Sequence, residues 1–178
     1  MEPNFFPDEE SEKKRYLEHN NDIYDLGYQN FVSPVVSKVK SLHGPNDSGL
    51  DFGSGPGPVI SHLLAESGYS IQKYDPYFFP NPSIWNQVFD YIVACEVVEH
   101  FYDPYKEFAR LRTLLHPDRG NFIVYTDPIY ESLNFPGWYY KNDPTHVFFY
   151  SNETMDWIRN EFGFSKLTIH GRLFVFSA

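Results

Sequence analysis

The sequence predicts an α/β domain built on a mostly parallel β-sheet, and three observations carry that reading. Short apolar runs alternate with stretches whose apolar residues recur every three or four positions, the strand–helix rhythm of right-handed crossovers. The run Phe89 to Cys95 is nearly continuously apolar, as a strand buried on both faces requires. The glycine cluster Gly53, Gly55 and Gly57 directly follows a short apolar segment, where an open α/β sheet meets its ligand beyond the carboxyl ends of its strands.

Each element follows from its local pattern. The first 15 residues read as frayed. From Tyr16 to Leu42, Tyr24, Tyr28, Phe31, Val35 and Val39 keep helical spacing, and Ser33 before Pro34 reads as an N-cap opening a fresh helix. Two short helices covering one edge of the sheet are therefore expected within an N-terminal helical extension, residues 1–43. Gly49 to Phe52 is a strand running into the glycines. A helix carrying Val59, Ile60, Leu63 and Leu64 on one face ends at Gly68. Tyr69 to Tyr74 is a second strand, closed by Asp75-Pro76, and Phe89 to Cys95 is the next. A helix opens behind Asp103-Pro104 and closes at His116-Pro117, followed by a strand from Phe122 to Thr126. Ser151 caps a helix carrying Met155, Ile158 and Phe162. Finally, only Gly171-Arg172 separates Lys166–His170 from Leu173–Ser177, a link so short that the two strands form an antiparallel hairpin.

Composition narrows the function. The 178 residues suit one domain, and 42% hydrophobic content with 14 Tyr and 17 Phe supplies its core. A net charge of −10 with no basic run disfavours nucleic acid and acidic membrane surfaces as partners. The start, with Glu2, Asp8, Glu9 and Glu10, lacks the pattern of a secretory signal, and no stretch approaches the roughly 20 apolar residues of a membrane span. The single cysteine, Cys95, sits among Ile92, Val93 and Ala94 as a buried strand residue, and a cytoplasmic location is expected.

The chemistry concentrates in two segments. The spacing Gly53-x-Gly55-x-Gly57 places Pro58 where a dinucleotide fingerprint has its third small residue, so the phosphate-cradling match is poor. Asp75 lies 20 residues past Gly55 at the end of the second strand, where a carboxylate accepts both hydroxyls of a ribose. The second segment, Trp138 to His146, is irregular and follows the strand ending at Thr126. It offers Tyr140, Asp143 and His146 as catalytic candidates, His146 as a proton acceptor near neutral pH and Asp143 to orient it.

These residues resemble the class I S-adenosylmethionine-dependent methyltransferases over most of the chain. Leu50-Asp51-Phe52-Gly53-Ser54-Gly55-Pro56-Gly57 is similar to that family's first motif, Asp75 to its ribose-binding acid, and Phe89 to Phe101 to its fourth strand and the following loop. Leu114 to Gly120 resembles the turn before its fifth strand, and Asp143 to Ser151 resembles a segment of its small-molecule branch. The resemblance implies a Rossmann-like, doubly wound sheet with a terminal antiparallel hairpin. It further implies S-adenosyl-L-methionine as cofactor, bound by Asp51, Gly53, Ser54, Gly55, Gly57, Asp75, Pro76, Tyr77 and Glu96, and methyl transfer to a small-molecule acceptor. The sequence departs from the family between Asp75 and the next strand. Only the 13 residues Pro76 to Val88 stand there, so the usual helix and third strand are shortened or missing, and adenine is left to stacking on Tyr77, Phe78 or Trp85 or to backbone groups. Glu99 and His100 are expected to fix the loop and the next helix. No His and carboxylate pair shows a spacing such as His-Glu-x-x-His, so no metal is expected. A catalytically silent cofactor- or partner-binding module and an NAD-dependent oxidoreductase stay open as alternatives.

Overall fold

The computed structural model describes residues 6–18 and 22–178. Its centre is a strand, β3 (Tyr91–Cys95), buried along nearly its whole length as its apolar run requires. On one side β3 pairs in parallel with β1 (Ser48–Phe52), which in turn pairs in parallel with the edge strand β2 (Ser70–Tyr74). On the other side β3 pairs in parallel with β4 (Asn121–Tyr125). The chain then completes the sheet with an antiparallel hairpin of β5 (Lys166–His170) and β6 (Leu173–Ser177), and β6 pairs antiparallel with β4. The strand order is β2-β1-β3-β4-β6-β5. Because β6 runs against β4, with Leu173 opposite Tyr125, the hairpin's Gly171-Arg172 turn lies at the same end of the sheet as the carboxyl ends of the parallel strands.

Alternation along the strands sorts the core into two layers. Leu50, Phe52, Ile92, Ala94, Phe122, Val124, Phe174 and Phe176 face α4 (Pro104–Thr113) and α5 (Asn152–Glu161), which contribute Phe108, Leu111, Met155 and Ile158. On the opposite face Tyr91, Val93, Ile123 and Val175 meet α2 (Leu26–Leu42) and α3 (Val59–Glu66) through Val32, Val35, Val39, Ile60 and Leu64. Each fully buried Leu, Val or Phe in these layers contributes roughly 1.5–3 kcal/mol. The doubly wound α/β architecture with its terminal hairpin is thus the one the sequence predicts. The caps are also as read: Asp103 accepts from the Lys106 amide at 3.1 Å and Ser151 from the Thr154 amide at 3.2 Å.

Three sequence-based expectations are corrected. Pro34 does not open a helix: α2 runs unbroken from Leu26, and its N-cap is Asp25, whose side chain accepts from Gly27 and Tyr28. Proline has no N–H for the Asn30 carbonyl, but the Ser33 hydroxyl donates to that oxygen at 2.8 Å and replaces the missing bond. Moreover, α2 lies on a face of the sheet, because its valines recur at helical spacing over β3 and β4. The second correction concerns the supposedly frayed start. Residues 1–5 lie outside the described part, but α1 (Glu9–Glu18) is a formed helix. Third, Cys95 is only half-buried and borders the cleft described below.

The short 76–88 segment holds a 3-10 turn, Pro82–Asn86, and a single bridge between Asp75 and Phe79, with no strand. The carboxyl ends of β1 and β2 therefore open directly onto this loop. Among the described residues no helix is long and apolar enough to cross a membrane.

Candidate cofactor and acceptor cleft

A cleft of about 880 Å³ opens at the carboxyl ends of β1, β2 and β3. The cofactor-binding and catalytic candidates from the sequence all line it: Asp51, Gly53, Ser54, Gly55, Gly57, Asp75, Pro76 and Tyr77 on one side, Glu96, Tyr140, Asp143 and His146 on the other.

The glycine turn is shaped by backbone conformations that side chains resist. Gly53 and Gly55 have φ of 73° and 62°, and a Cβ on Gly53 would stand 2.6 Å from Val97 Cγ2. The Gly53 and Ser54 amides both donate to the Tyr74 carbonyl, and the Gly55 amide donates to Asp75 Oδ2 at 3.0 Å. The other Asp75 oxygen accepts from the Tyr77 and Phe78 amides at 2.9 and 3.1 Å, so one carboxylate organises both loops that border this half of the cleft. Asp51 is buried at the floor, where Ser61 donates to it through its hydroxyl and amide. Burial pushes the Asp51 carboxyl up to about 6, against those two bonds and with a further push from the Asp75 charge. The Ser54 hydroxyl is buried without a protein partner among the described residues, a donor left for a ligand. The aromatic walls are Phe52, Tyr74, Trp85 and Tyr77; Trp85 lies under the Arg110 guanidinium, 3.0 Å from its centroid, whereas Phe78 is not among the lining residues.

The other half is built by the loop after β3 and the segment before α5. Glu96 holds a positive φ of 54°, which among the described residues no other non-glycine shows. Its carboxylate pairs with Arg172 from the hairpin turn at 2.7 Å. Burial and the nearby Glu99 push the Glu96 carboxyl up, against Arg172. Glu99 is fully buried, bonded by the Tyr140 hydroxyl and, at 2.9 Å, by the Thr126 hydroxyl. Its backbone carbonyl receives the Val147 and Phe148 amides, which draws the 140–150 segment against the loop after β3. His146 is held through Nδ1 by the Tyr140 carbonyl at 2.8 Å, and burial and neighbouring His100 push its pKa down. Asp143 accepts from the Thr145 hydroxyl at 2.6 Å and from Arg15 at 2.9 Å; against the cost of burial, these bonds and the nearby His146 hold its carboxyl well below the usual carboxylate range.

Several lining residues escaped the sequence reading. Glu12, Arg15 and Tyr16 of α1 reach the cleft, with Tyr77 donating to Glu12 Oε2 at 2.7 Å. Arg172 reads in sequence only as a hairpin link, and nothing local signals that β6 will carry it beside β4.

A model of the methyltransferase domain matches residues 24–169. The chain belongs to the methyltransferase-domain family. No curated protein sequence matches it. Solved structures with the same fold include magnesium protoporphyrin IX methyltransferase of Synechocystis PCC 6803 with bound SAH, at 15% identity and a TM-score of 0.65, covering 98% of this chain and 96% of that one. A candidate O-methyltransferase of Nostoc punctiforme PCC 73102 matches at 13% identity and a TM-score of 0.65, over 84% of this chain and 56% of its own. Haemonchus contortus phosphoethanolamine N-methyltransferase 2, in complex with phosphomonomethylethanolamine and S-adenosylhomocysteine, matches at 16% identity and a TM-score of 0.56, over 78% of this chain and 38% of its own. This methyltransferase domain thus spans little more than half of the Nostoc protein. The family match and the doubly wound fold support the S-adenosylmethionine-dependent class the sequence implied.

Proposed function

We propose that this chain is an S-adenosylmethionine-dependent methyltransferase whose cleft holds the cofactor against the glycine turn and a small-molecule acceptor beside Tyr140 and His146. One observation carries the reading: a glycine turn, the acid 20 residues beyond it and the polar 140–146 segment converge on a single cleft.

When bound, S-adenosylmethionine supplies an electrophilic methyl group on a sulfonium. The residues present fit such a group. Gly53 and Gly55 let backbone approach the ligand closely, the Ser54 hydroxyl offers an unused bond, and the Asp75 carboxylate keeps lone-pair positions to accept from hydroxyls. Tyr77, and the side of Trp85 not covered by Arg110, offer aromatic surface for a base, in place of an adenine-binding acid that the short 76–88 segment lacks. Asp51 and Asp75 bring two carboxyl groups to this half of the cleft, a setting that suits a cation. Across from them, Arg15 of α1 pairs with Asp143 within the cleft lining. Because the Tyr140 carbonyl accepts from His146 Nδ1, the basic nitrogen of this ring is Nε2.

Isothermal titration of the protein with S-adenosylmethionine, S-adenosylhomocysteine and NAD, repeated on Asp75→Ala, tests the reading. Selective binding of the first two, lost in the variant, supports it, and a preference for NAD or no binding overturns it. A cofactor-binding module without turnover is separated by incubation with acceptor mixtures, since only a methyltransferase generates S-adenosylhomocysteine.

A further inference from the structure

Two histidines and a glutamate lie together at the acceptor end of the cleft. Glu99, His100 and His146 each bring one ligating atom into a group whose members all lie within 4.8 Å of one another. The two imidazole rings pack edge to face with centroids 4.8 Å apart, and both line the cleft with Glu99 behind them.

The surroundings of these side chains are those of metal ligands. A backbone carbonyl only accepts hydrogen bonds, so each ring nitrogen that meets one carries the proton. His146 Nδ1 meets the Tyr140 carbonyl at 2.8 Å and His100 Nδ1 meets the Thr145 carbonyl at 2.9 Å. In the neutral form both rings therefore keep their electron pair on Nε2, with orientation fixed by the kind of outer contact that ligating histidines make. The Glu99 carboxylate is oriented in the same way, one oxygen by Tyr140 and the other by Thr126. Two hydroxyl bonds leave a carboxylate with further lone-pair positions. Burial also makes a lone carboxylate here costly, and no Lys or Arg pairs with Glu99 among the described ion pairs.

We infer that Glu99, His100 and His146 form a divalent cation site that presents the ion's remaining positions to oxygen donors of the acceptor. Two imidazoles and one carboxylate suit Mn²⁺, Fe²⁺, Co²⁺ or Zn²⁺ better than Ca²⁺, which prefers an all-oxygen set. Ligand distances of about 2.0–2.2 Å require the ligating atoms to draw together by up to about 1.5 Å, within reach of side-chain rotations. With the His146 Nε2 pair on the ion, that ring is not the base. Instead, an acceptor hydroxyl on the ion releases its proton to water more readily, because the cation stabilises the oxyanion left behind. The acceptor class that follows is a hydroxyl compound. The inference rests on the transferase reading for the acceptor's place, but cation binding is measurable independently of it.

The test uses the full chain titrated with Co²⁺, followed by its visible absorption, and with Mn²⁺, followed by electron paramagnetic resonance. Wild type is expected to bind one equivalent. His100→Ala and His146→Ala should each weaken binding by at least about tenfold, whereas His170→Ala, at an exposed histidine outside the cleft, leaves it unchanged. S-adenosylmethionine titration on the same samples reports whether the cleft is intact. Should His146→Ala lose both ligands, the half-buried His100→Ala decides. No saturable binding at millimolar metal, or binding that persists in both variants, overturns the site. Cation binding without S-adenosylmethionine binding in wild type removes the transferase reading and leaves the site standing.

Discussion

The Gly55 amide donates to Asp75 Oδ2 at 3.0 Å, so the acid that ends β2 and the glycine turn that ends β1 form one unit. Asp75 also accepts from two amides of its own loop. Replacing it with alanine leaves three donors without their acceptor. Asp75→Ala is expected to weaken S-adenosylmethionine by at least about tenfold, as a charged hydrogen-bond partner worth roughly 1.5–3 kcal/mol implies. Asp75→Asn should recover only part of the loss, since its oxygen can keep the Tyr77 and Phe78 amides while its N–H₂ faces the Gly55 donor. Calorimetric titration of both variants checks this.

Gly53 combines a φ of 73° with a Cβ position 2.6 and 2.7 Å from the two Val97 methyl groups. Gly53→Ala should therefore cost about 1–3 kcal/mol through strain and displacement of Val97. For a chain of this size each kcal/mol lowers the melting temperature by roughly 2–4 °C. An unchanged melting curve would contradict the close packing of this turn.

The Ser33 hydroxyl stands in for the amide that Pro34 lacks. In consequence Pro34→Ala, at an exposed position, should stabilise the protein by about 1–3 kcal/mol. Ser33→Ala should destabilise wild type and have less effect in the Pro34→Ala background, where a backbone bond reaches Asn30. A double-mutant cycle by chemical denaturation measures the coupling.

Burial raises the Asp51 carboxyl from 3.8 to about 6, so the folded protein holds this proton at pH values where the unfolded chain has lost it. Stability from this group accordingly falls as pH rises from about 4 to about 6, by about 3 kcal/mol, and stays level above. Asp51→Asn removes this dependence while keeping an oxygen for Ser61. The difference between the two proteins' unfolding free energies should grow through that window; a constant difference would show that Asp51 is not protonated in the fold.

Arg15 ties α1 to Asp143 at 2.9 Å, across the mouth of the cleft. Arg15→Ala is expected to leave the sheet's amide protection unchanged and to speed hydrogen exchange in α1 by several-fold, since only local opening is affected. Loss of protection throughout the sheet would instead give α1 a global role.

The sequence by itself determined what depends on local spacing. Alternating periods of two and 3.6 mark the strands and helices, the two-residue link at Gly171-Arg172 dictates an antiparallel hairpin, and Asp103 and Ser151 cap helices through bonds three residues away. The glycine turn and Asp75 were legible for the same reason: consecutive parallel strands bring their ends to one side of a sheet. Tertiary structure decided the rest. Glu99, His100 and His146 meet because the Glu99 carbonyl takes the Val147 and Phe148 amides, a pairing of distant backbone that no side-chain period encodes. Arg172 meets Glu96 because β6, not β5, pairs with β4, and both orders satisfy the same hairpin. Strand order is set by which faces bury together, an energy summed over the whole core, so the groups it gathers at one end of the sheet become visible only once the chain has folded.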